Sequence, residues 1–286
     1  MTLEQLRIFL AVADGQHMTR AAAKLGLTQS AVSAAIAALE GRHNVRLFDR
    51  IGRRITLTEA GRSFVREARG VLNRAETAEL VLDDLSLQPR GHIRLFASQT
   101  VASYWLPRRL IALHEAYPDI HVDMMVGNST QAAAAVQDGQ ADIGLVEGPV
   151  RQPDLTCRVI ARDRLVLIMA ADRADRDLED LRNATWVLRE EGSGTRSEFE
   201  AYLRKSGLDI HDLTVALQLP SNEAVLAAVR GSRCVSVLSE RAVASTHAAG
   251  WISTKPLIGA ERTFSALSHP DRYRTRAVST MLEGLT

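Results

Sequence analysis

Residues 19–60 read TRAAAKLGLTQSAVSAAIAALEGRHNVRLFDRIGRRITLTEA, and this stretch decides how the rest of the chain is organised. Thr19 suits the N-cap of a short helix, Thr19–Leu25, in which Ala22 and Ala23 allow close helix approach. Gly26 permits a left-handed turn, and Thr28 caps a further helix from Gln29 to about Glu40. In that helix Val32, Ile36 and Leu39 recur at helical spacing, so they share one core-facing stripe. Gln29, Ser30, Ser33 and Ala34 are left pointing outward near its N-terminal half. Upstream, Leu6, Phe9, Leu10 and Ala13 keep helical spacing, and Gly15 ends that first helix.

Two short helices joined by a tight turn form a helix-turn-helix, whose second helix enters the DNA major groove N-terminal end first. Gln pairs bidentately with adenine, and Ser bonds a base or a phosphate. The same helical pattern also suits a generic three-helix domain with solvated Gln and Ser. The following segment tips the balance. Residues 44–58, NVRLFDRIGRRITLT, read as two short extended pieces around a Gly turn, a wing carrying Arg50, Arg53 and Arg54. Three guanidiniums on one loop beside a groove-reading helix suit phosphate or minor-groove contacts. Thr19, Arg20 and Thr28, at the two helix starts, complete the expected DNA-binding set.

Charge is divided accordingly. Residues 1–61 hold eight Arg or Lys against five Asp or Glu, and the remainder 27 against 29. A basic head on a slightly acidic body fits a nucleic-acid partner for the head alone. The apolar and charged fractions, 46% and 24%, are those of an ordinary globular protein. No run approaches the roughly 18 apolar residues that span a bilayer, so no membrane partner is expected. The N-terminus carries Glu4, Arg7 and Asp14 in its apolar pattern and reads as a helix, not a signal peptide. Cys157 and Cys234 sit far apart without metal-ligand spacing, so a reducing cytoplasm is the expected location; they are expected as buried small hydrophobes, with a redox pair as the alternative.

The segments AAAKLGLTQSAVSAAIAALE (21–40) and LFDRIGRRITLTEAG (47–61) resemble the N-terminal signature of LysR-type transcriptional regulators, and the likeness extends more loosely over the whole chain. At the position of Ala34 many members of that family carry a larger polar or basic residue. The resemblance implies an all-α winged helix-turn-helix, a long linker helix and a C-terminal α/β sensor of two lobes, like the periplasmic binding proteins. The corresponding boundaries are 1–58, 59–88 and 91–286, with lobe I at about 91–161 and 268–286 and lobe II at about 162–267. Two crossover strands near 158–163 and 255–267 would join the lobes.

After Thr58, apolar residues fall at Phe64, Ala68, Val71, Ala75, Ala78, Leu82 and Leu85. The steps average 3.5 residues, the mark of a coiled-coil seam that wants a partner helix. A helix packed on its own body is the alternative. The family resemblance favours a dimer through 59–88, further pairing into a tetramer, and an interrupted inverted repeat as the DNA target. It also implies contact with RNA polymerase. Residues 88–91, QPRG, would end the helix and act as a hinge.

From His92 onward, strands and helices alternate. The first run is Ile93–Ala97 (strand), Ser103–Tyr117 (helix), Ile120–Val126 (strand), Ser129–Asp138 (helix) and Ala141–Val146 (strand). The second is strands Leu165–Ala170 and Thr185–Arg189, a helix after Gly194, strand Thr214–Gln218, helix Asn222–Arg230 and strand Cys234–Leu238. In parallel α/β folds ligands bind at the carboxyl ends of strands, against helix N-termini. The residues at those points are Ser98, Gln99 and Thr100; Asn128, Ser129 and Thr130; Glu147; Arg189, Gly192, Ser193, Gly194 and Thr195; and Asn222. They form the expected effector site. Glu190 and Glu191 would repel an anion unless they point away or meet an ammonium group. The stretch 189–196, REEGSGTR, resembles one in a family branch that includes regulators of sulfur assimilation and carbon fixation. That likeness implies a small anionic effector, with an amino-acid-like metabolite as the alternative. Arg233, in GSRCVSVLS, either adds charge to the cleft or is solvated.

Enzyme signatures do not emerge. The Gly-rich segment is neither GxGxxG nor a GK[ST] phosphate loop, and no HExxH or GxSxG occurs, so neither a catalytic residue, a metal nor a cofactor is expected.

Overall fold

The computed structural model describes residues 1–51, 54–83, 89–148, 152–173 and 181–285. The chain divides into two units, Met1–Leu85 and Ser86–Thr286.

In the first unit, α1 (Leu3–Gly15), α2 (Met18–Leu25) and α3 (Gln29–His43) pack around Leu6, Phe9, Val12, Val32, Ile36 and Leu39. The α2 cap differs from expectation: the helix starts one residue earlier and His17, not Thr19, accepts from the Arg20 N–H through Nδ1. Gly26, with φ of 66°, makes the left-handed turn into α3, and Thr28 caps that helix by accepting from the Ala31 N–H at 3.2 Å. Strands β1 (Phe48–Ile51) and β2 (Arg54–Leu57) pair antiparallel as the wing. The Glu40 carboxylate sets its departure by accepting from the backbone N–H groups of Leu47 (2.7 Å) and Phe48 (3.1 Å).

Helix α4 (Glu59–Asp83) follows. Its apolar stripe is used twice. Phe64 and Ala68 face the unit's own core, with the Phe64 ring 5.0 Å from Phe9, and Arg69 pairs with Asp14 at 2.6 Å. The sequence reading gave these two positions to a partner helix. Val71 and Val81 are exposed, as is Ala78. The side chain of Leu82, and Leu85 and Gln88 entirely, lie outside the described residues.

The second unit is built on one six-stranded sheet in the order β4-β3-β5-β10-β6-β9. Strands β3 (Gly91–Ser98), β4 (Ile120–Gly127) and β5 (Ile143–Glu147) are parallel and define lobe I with α5 (Gln99–Tyr104), α6 (Pro107–Ala116), α7 (Ser129–Gln137) and α11 (Arg276–Gly284). Lobe II holds β7 (Thr185–Arg189) and β8 (Thr214–Leu219), paired in parallel, with α8 (Gly194–Lys205), α9 (Asn222–Arg230), β9 (Ser236–Ser239) and α10 (Glu240–Ala248). Two long strands serve both lobes: β6 (Thr156–Ala170) and β10 (Ile252–Ser268), paired antiparallel over most of their length. The crossover strands expected near 158–163 and 255–267 lie within these two, the first in the N-terminal half of β6 and the second over most of β10. Lobe I has a core on each sheet face, one around Ile93, Leu95, Phe264 and Met281 and one around Ala132, Val136 and Leu267. Lobe II packs around Trp186, Phe199 and Leu203 on one side and Val225, Val229 and Leu238 on the other.

Three further departures from the sequence reading have plain causes. The single helix expected over Ser103–Tyr117 is two helices, because Pro107 cannot donate within a helix and instead sits at the start of α6. Sheet pairing is mixed, since β10 runs antiparallel to both β5 and β6. Cys157 is exposed and Cys234 half-buried, both as free thiols, so neither is the buried hydrophobe expected.

Candidate functional site

On the head, α3 presents Gln29, Ser30 and Ala34 to solvent, with Ser33 half-buried beside them; Thr19, Arg20 and Thr28 are exposed too. Thr28 holds Ser30 at 3.0 Å between hydroxyl oxygens. Burial of Val32, Ile36 and Leu39 on the opposite stripe fixes which side of α3 is free. Arg50 and Arg54 belong to the wing strands. Arg53, and the side chains of Arg50 and Arg54, lie outside the described residues.

In the second unit, the residues expected at the strand ends converge on one seam between the lobes. The Asn222 N–H donates to Gln99 Oε1 at 2.7 Å, and its side-chain amide donates to Thr100 Oγ1 at 3.1 Å. The Thr130 N–H donates to the Gly192 carbonyl at 3.2 Å, and Asn128 Nδ2 to the Glu191 carbonyl at 3.4 Å. Ser129 Oγ donates to the Glu147 carbonyl at 3.1 Å. Gly192 adopts φ of 85°, and a Cβ there would lie 3.1 Å from the Asn128 and Thr130 side chains. Gly194 is tighter: its Cβ would fall 2.1 Å from the Glu147 carbonyl oxygen, so only glycine allows α8 to reach β5 this closely.

At the centre lies Glu147, 2% exposed. Its Oε1 accepts from the hydroxyls of Thr100 (lobe I) and Thr195 (lobe II), each at 3.2 Å. Its Oε2 pairs with Arg262 at 3.1 Å. Arg262 also donates to Thr195 at 3.0 Å and to Asp163 at 2.8 Å. Sequence reading missed Arg262 and Asp163. The signal was present: Ala260, Arg262, Phe264 and Ala266 alternate as one buried face of β10, so a charge in that series needed a buried partner.

The basic residues of REEGSGTR are already engaged. Arg189 donates to both Glu190 oxygens, at 2.8 and 3.1 Å, and to Asn222 Oδ1 at 2.5 Å. Arg196 is held by Glu200 at 2.9 Å and Gln218 at 2.8 Å. Glu190 is thereby neutralised, Glu191 points to solvent, and Arg233 sits exposed on the turn after α9. Two seam hydroxyls, Ser98 and Ser193, are buried without a hydrogen-bond partner among the described residues, and each stands at the N-cap of a helix without bonding its backbone.

The rim of the seam carries a further pair absent from the sequence reading. Tyr104 donates to Glu223 at 2.7 Å, and Gln99 also donates to that carboxylate. Burial, then the bond to Glu223, pushes the Tyr104 phenol well above its ordinary range. For Glu223, burial is the largest influence and acts upward. The hydrogen bonds from Tyr104, its own backbone and Gln99 outweigh it, leaving the carboxyl below its usual value. Glu198, on α8, is pushed up by burial against the opposing fields of Arg262 and Lys205.

Residues 3–62 match the family described as bacterial regulatory helix-turn-helix proteins of the lysR family, and residues 86–286 match the LysR substrate binding domain. The chain belongs to the LysR family. This LysR-type chain is a DNA-binding transcriptional regulator with an effector-binding domain, and not an enzyme. Among its relatives, the uncharacterized HTH-type transcriptional regulator YeiE of Escherichia coli K12 is 35% identical, over 99% of this chain and 96% of its own. The full-length CbnR, solved in complex with its target DNA, shares the fold with a TM-score of 0.72 at 21% identity, covering 100% of this chain and 99% of that one. The regulatory domain of Synechocystis CcmR, in complex with 2-PG, superposes with a TM-score of 0.61 at 26% identity over 68% of this chain and 96% of that one. No single helix among the described residues of this LysR-type regulator is long and apolar enough to cross a membrane.

Proposed function

We propose that this regulator acts as a homo-oligomer on an interrupted inverted repeat, and that a small anion in the lobe seam sets its output. Val71, Ala78 and Val81, exposed along α4, support pairing of two chains through the part of that helix not used by its own head. Gln29, Ser30, Ser33 and Ala34 would face bases, with Thr19, Arg20, Thr28, Arg50, Arg53 and Arg54 on the phosphates.

The observation that carries the effector reading is the pair of unpartnered hydroxyls, Ser98 and Ser193, buried at helix N-caps on opposite sides of the seam. Leaving two such groups without partners costs about 1–3 kcal/mol each, and an oxyanion between them recovers it. Helix N-termini favour the same charge. Because Arg189, Arg196 and Arg262 are all matched by carboxylates, discrimination falls to hydroxyls and amides. Thr100, Thr195, Gln99, Asn128, Ser129, Thr130, Glu147 and Asn222 would frame the ligand, with Gly192 and Gly194 giving it room. An ammonium on the same ligand would suit the Glu147 carboxylate, which supports an amino-acid-like variant. The 2-PG held by the CcmR regulatory domain, a related protein, is in keeping with a small anionic effector. Effector binding would change lobe packing, hence the placement of the heads on DNA and contact with RNA polymerase.

The test is a thermal-shift screen of the full chain against small oxyanions and amino acids, repeated with Ser98→Ala and Ser193→Ala. A ligand that raises the melting temperature of the parent, and does so far less in either variant, supports the reading. Equal shifts in parent and variants refute it.

A further inference from the structure

Outside the seam, a groove of about 720 Å³ lies between α10 and the β6–β10 ribbon. Its charges are not evenly matched. Arg164 is committed to Glu240 at 2.7 Å, and Glu261 stands opposite Arg164 in the strand register. Arg241 has Asp163 as its nearest carboxylate, at 3.7 Å. That carboxylate is already taken: Arg262 donates to it at 2.8 Å, and Ser239 at 3.0 Å. Arg162, exposed on the groove wall, makes no ion pair among the described residues.

With Glu240 taken by Arg164 and Asp163 by Arg262, two guanidiniums line one groove against a single remaining carboxylate, Glu261. Arg241 is also placed, since it donates to the Arg162 carbonyl at 3.2 Å, which holds its side chain over β6. The field of Arg241 reaches lobe I: Arg109 on α6 has its pKa lowered first by burial and then by repulsion from Arg241. Beside this cationic end the groove turns apolar, with Val166, Val243, Ala244 and Pro256 along it. A fork of guanidiniums next to a short apolar wall suits a bidentate oxyanion on a small organic body.

We propose that this groove is a second ligand site of the regulator, taking a small phosphate- or pyrophosphate-bearing metabolite through Arg162 and Arg241. The site uses neither Ser98 nor Ser193, and it meets the seam only through Asp163. Asp163 forms part of its wall while anchoring Arg262, so the two sites are separated by a single ion pair.

Inorganic pyrophosphate is the probe, titrated calorimetrically into the full chain at low salt. Saturable one-to-one binding is expected, weakened at least about tenfold in the Arg162→Gln/Arg241→Gln chain, the loss of roughly 1.4 kcal/mol. Glu240→Gln releases Arg164 and is expected to tighten binding severalfold, a gain that misfolding does not produce. A chain with Arg50→Ala and Arg53→Ala serves as the control for the basic head and should bind pyrophosphate at this site as the parent does. No saturable binding, unchanged affinity in the double variant, weaker binding in Glu240→Gln, or loss in the head variant would each overturn the proposal. Ser98→Ala separates it from the seam reading: binding that disappears there assigns pyrophosphate to the seam and refutes the groove.

Discussion

Arg262 and Asp163 face each other across the β6–β10 ladder, and their side chains meet at 2.8 Å with both withdrawn from water. The same guanidinium reaches Glu147 of lobe I and Thr195 of lobe II. One side chain thus ties the connecting ribbon to both lobes.

Removing that cation leaves buried Glu147 without a counter-charge and Asp163 with only the more distant Arg241, at 3.7 Å. Arg262→Met is expected to destabilise the sensor by about 3–5 kcal/mol. Adding Glu147→Gln and Asp163→Asn should restore more than half of it, because neutral amides no longer need the cation. All three tryptophans, Trp105, Trp186 and Trp251, lie in this unit, so urea unfolding followed by their fluorescence reports on it alone. No recovery in the triple variant would contradict the charge argument.

Gly194→Ala forces α8 away from β5, since its Cβ would fall 2.1 Å from the Glu147 carbonyl oxygen. The expected outcome is faster hydrogen exchange at the Thr130 and Asn222 N–H groups, which donate across the seam, and loss of effector response with DNA affinity retained. Gly231→Ala is the comparison, with its nearest neighbour at 3.6 Å and a negative φ. It should be within about 1 kcal/mol of neutral. Unchanged protection in Gly194→Ala would count against a closed seam.

On DNA, Gln29→Ala should weaken the cognate site by about 1–3 kcal/mol while sparing random sequence. Arg50→Ala with Arg53→Ala should weaken both alike and reduce the salt dependence by up to about two counterions. Gel shifts over a salt series measure both slopes. Equal losses on cognate and random DNA for Gln29→Ala would rule out base reading by that residue.

The Tyr104–Glu223 bond gives a pH signature. Because the folded Glu223 pKa is depressed, its contribution is present above the unfolded carboxyl value and disappears as pH falls through the folded one. Tyr104→Phe removes the largest downward influence. The variant should therefore lose less stability than the parent between about pH 5 and 3, starting from a lower value at neutrality. The raised Tyr104 pKa makes the parent, but not the variant, lose stability once pH climbs past the ordinary phenol range. Urea midpoints across pH check both limbs, and parallel curves would refute the coupling.

Local signals made much of this legible. Helix Asn222–Arg230 and strand Thr185–Arg189 read directly from caps and apolar runs. Every expected effector residue came to the seam, because strand ends followed by Ser, Thr or Asn mark where loops meet a cleft. What escaped was non-local. Arg162, Asp163 and Arg164 interrupt the apolar pattern of β6, so pattern alone marked only the second half of this 15-residue strand, and 158–163 was legible only through the family resemblance. Helices α10 and α11 went unread altogether. The partner that makes Arg262 tolerable lies 99 residues away in sequence, a distance over which no local pattern carries information. On α4 the 3.5-residue spacing was right, but spacing does not say which neighbour a stripe meets, and Phe64 meets Phe9.

The core of lobe I holds Ile93 and Leu95 from its first strand together with Ala277, Val278, Met281, Leu282 and Leu285 from its last helix. Synthesis on the ribosome must therefore pass through the whole of lobe II before lobe I can be completed. At about 5–20 residues per second, roughly tens of seconds separate Ile93 from Leu285. The head, made entirely of Met1–Leu85, has its own core finished well before that. A nascent chain of this regulator thus owns its DNA-reading surface before its sensor exists, and a message broken late yields a head with no governor.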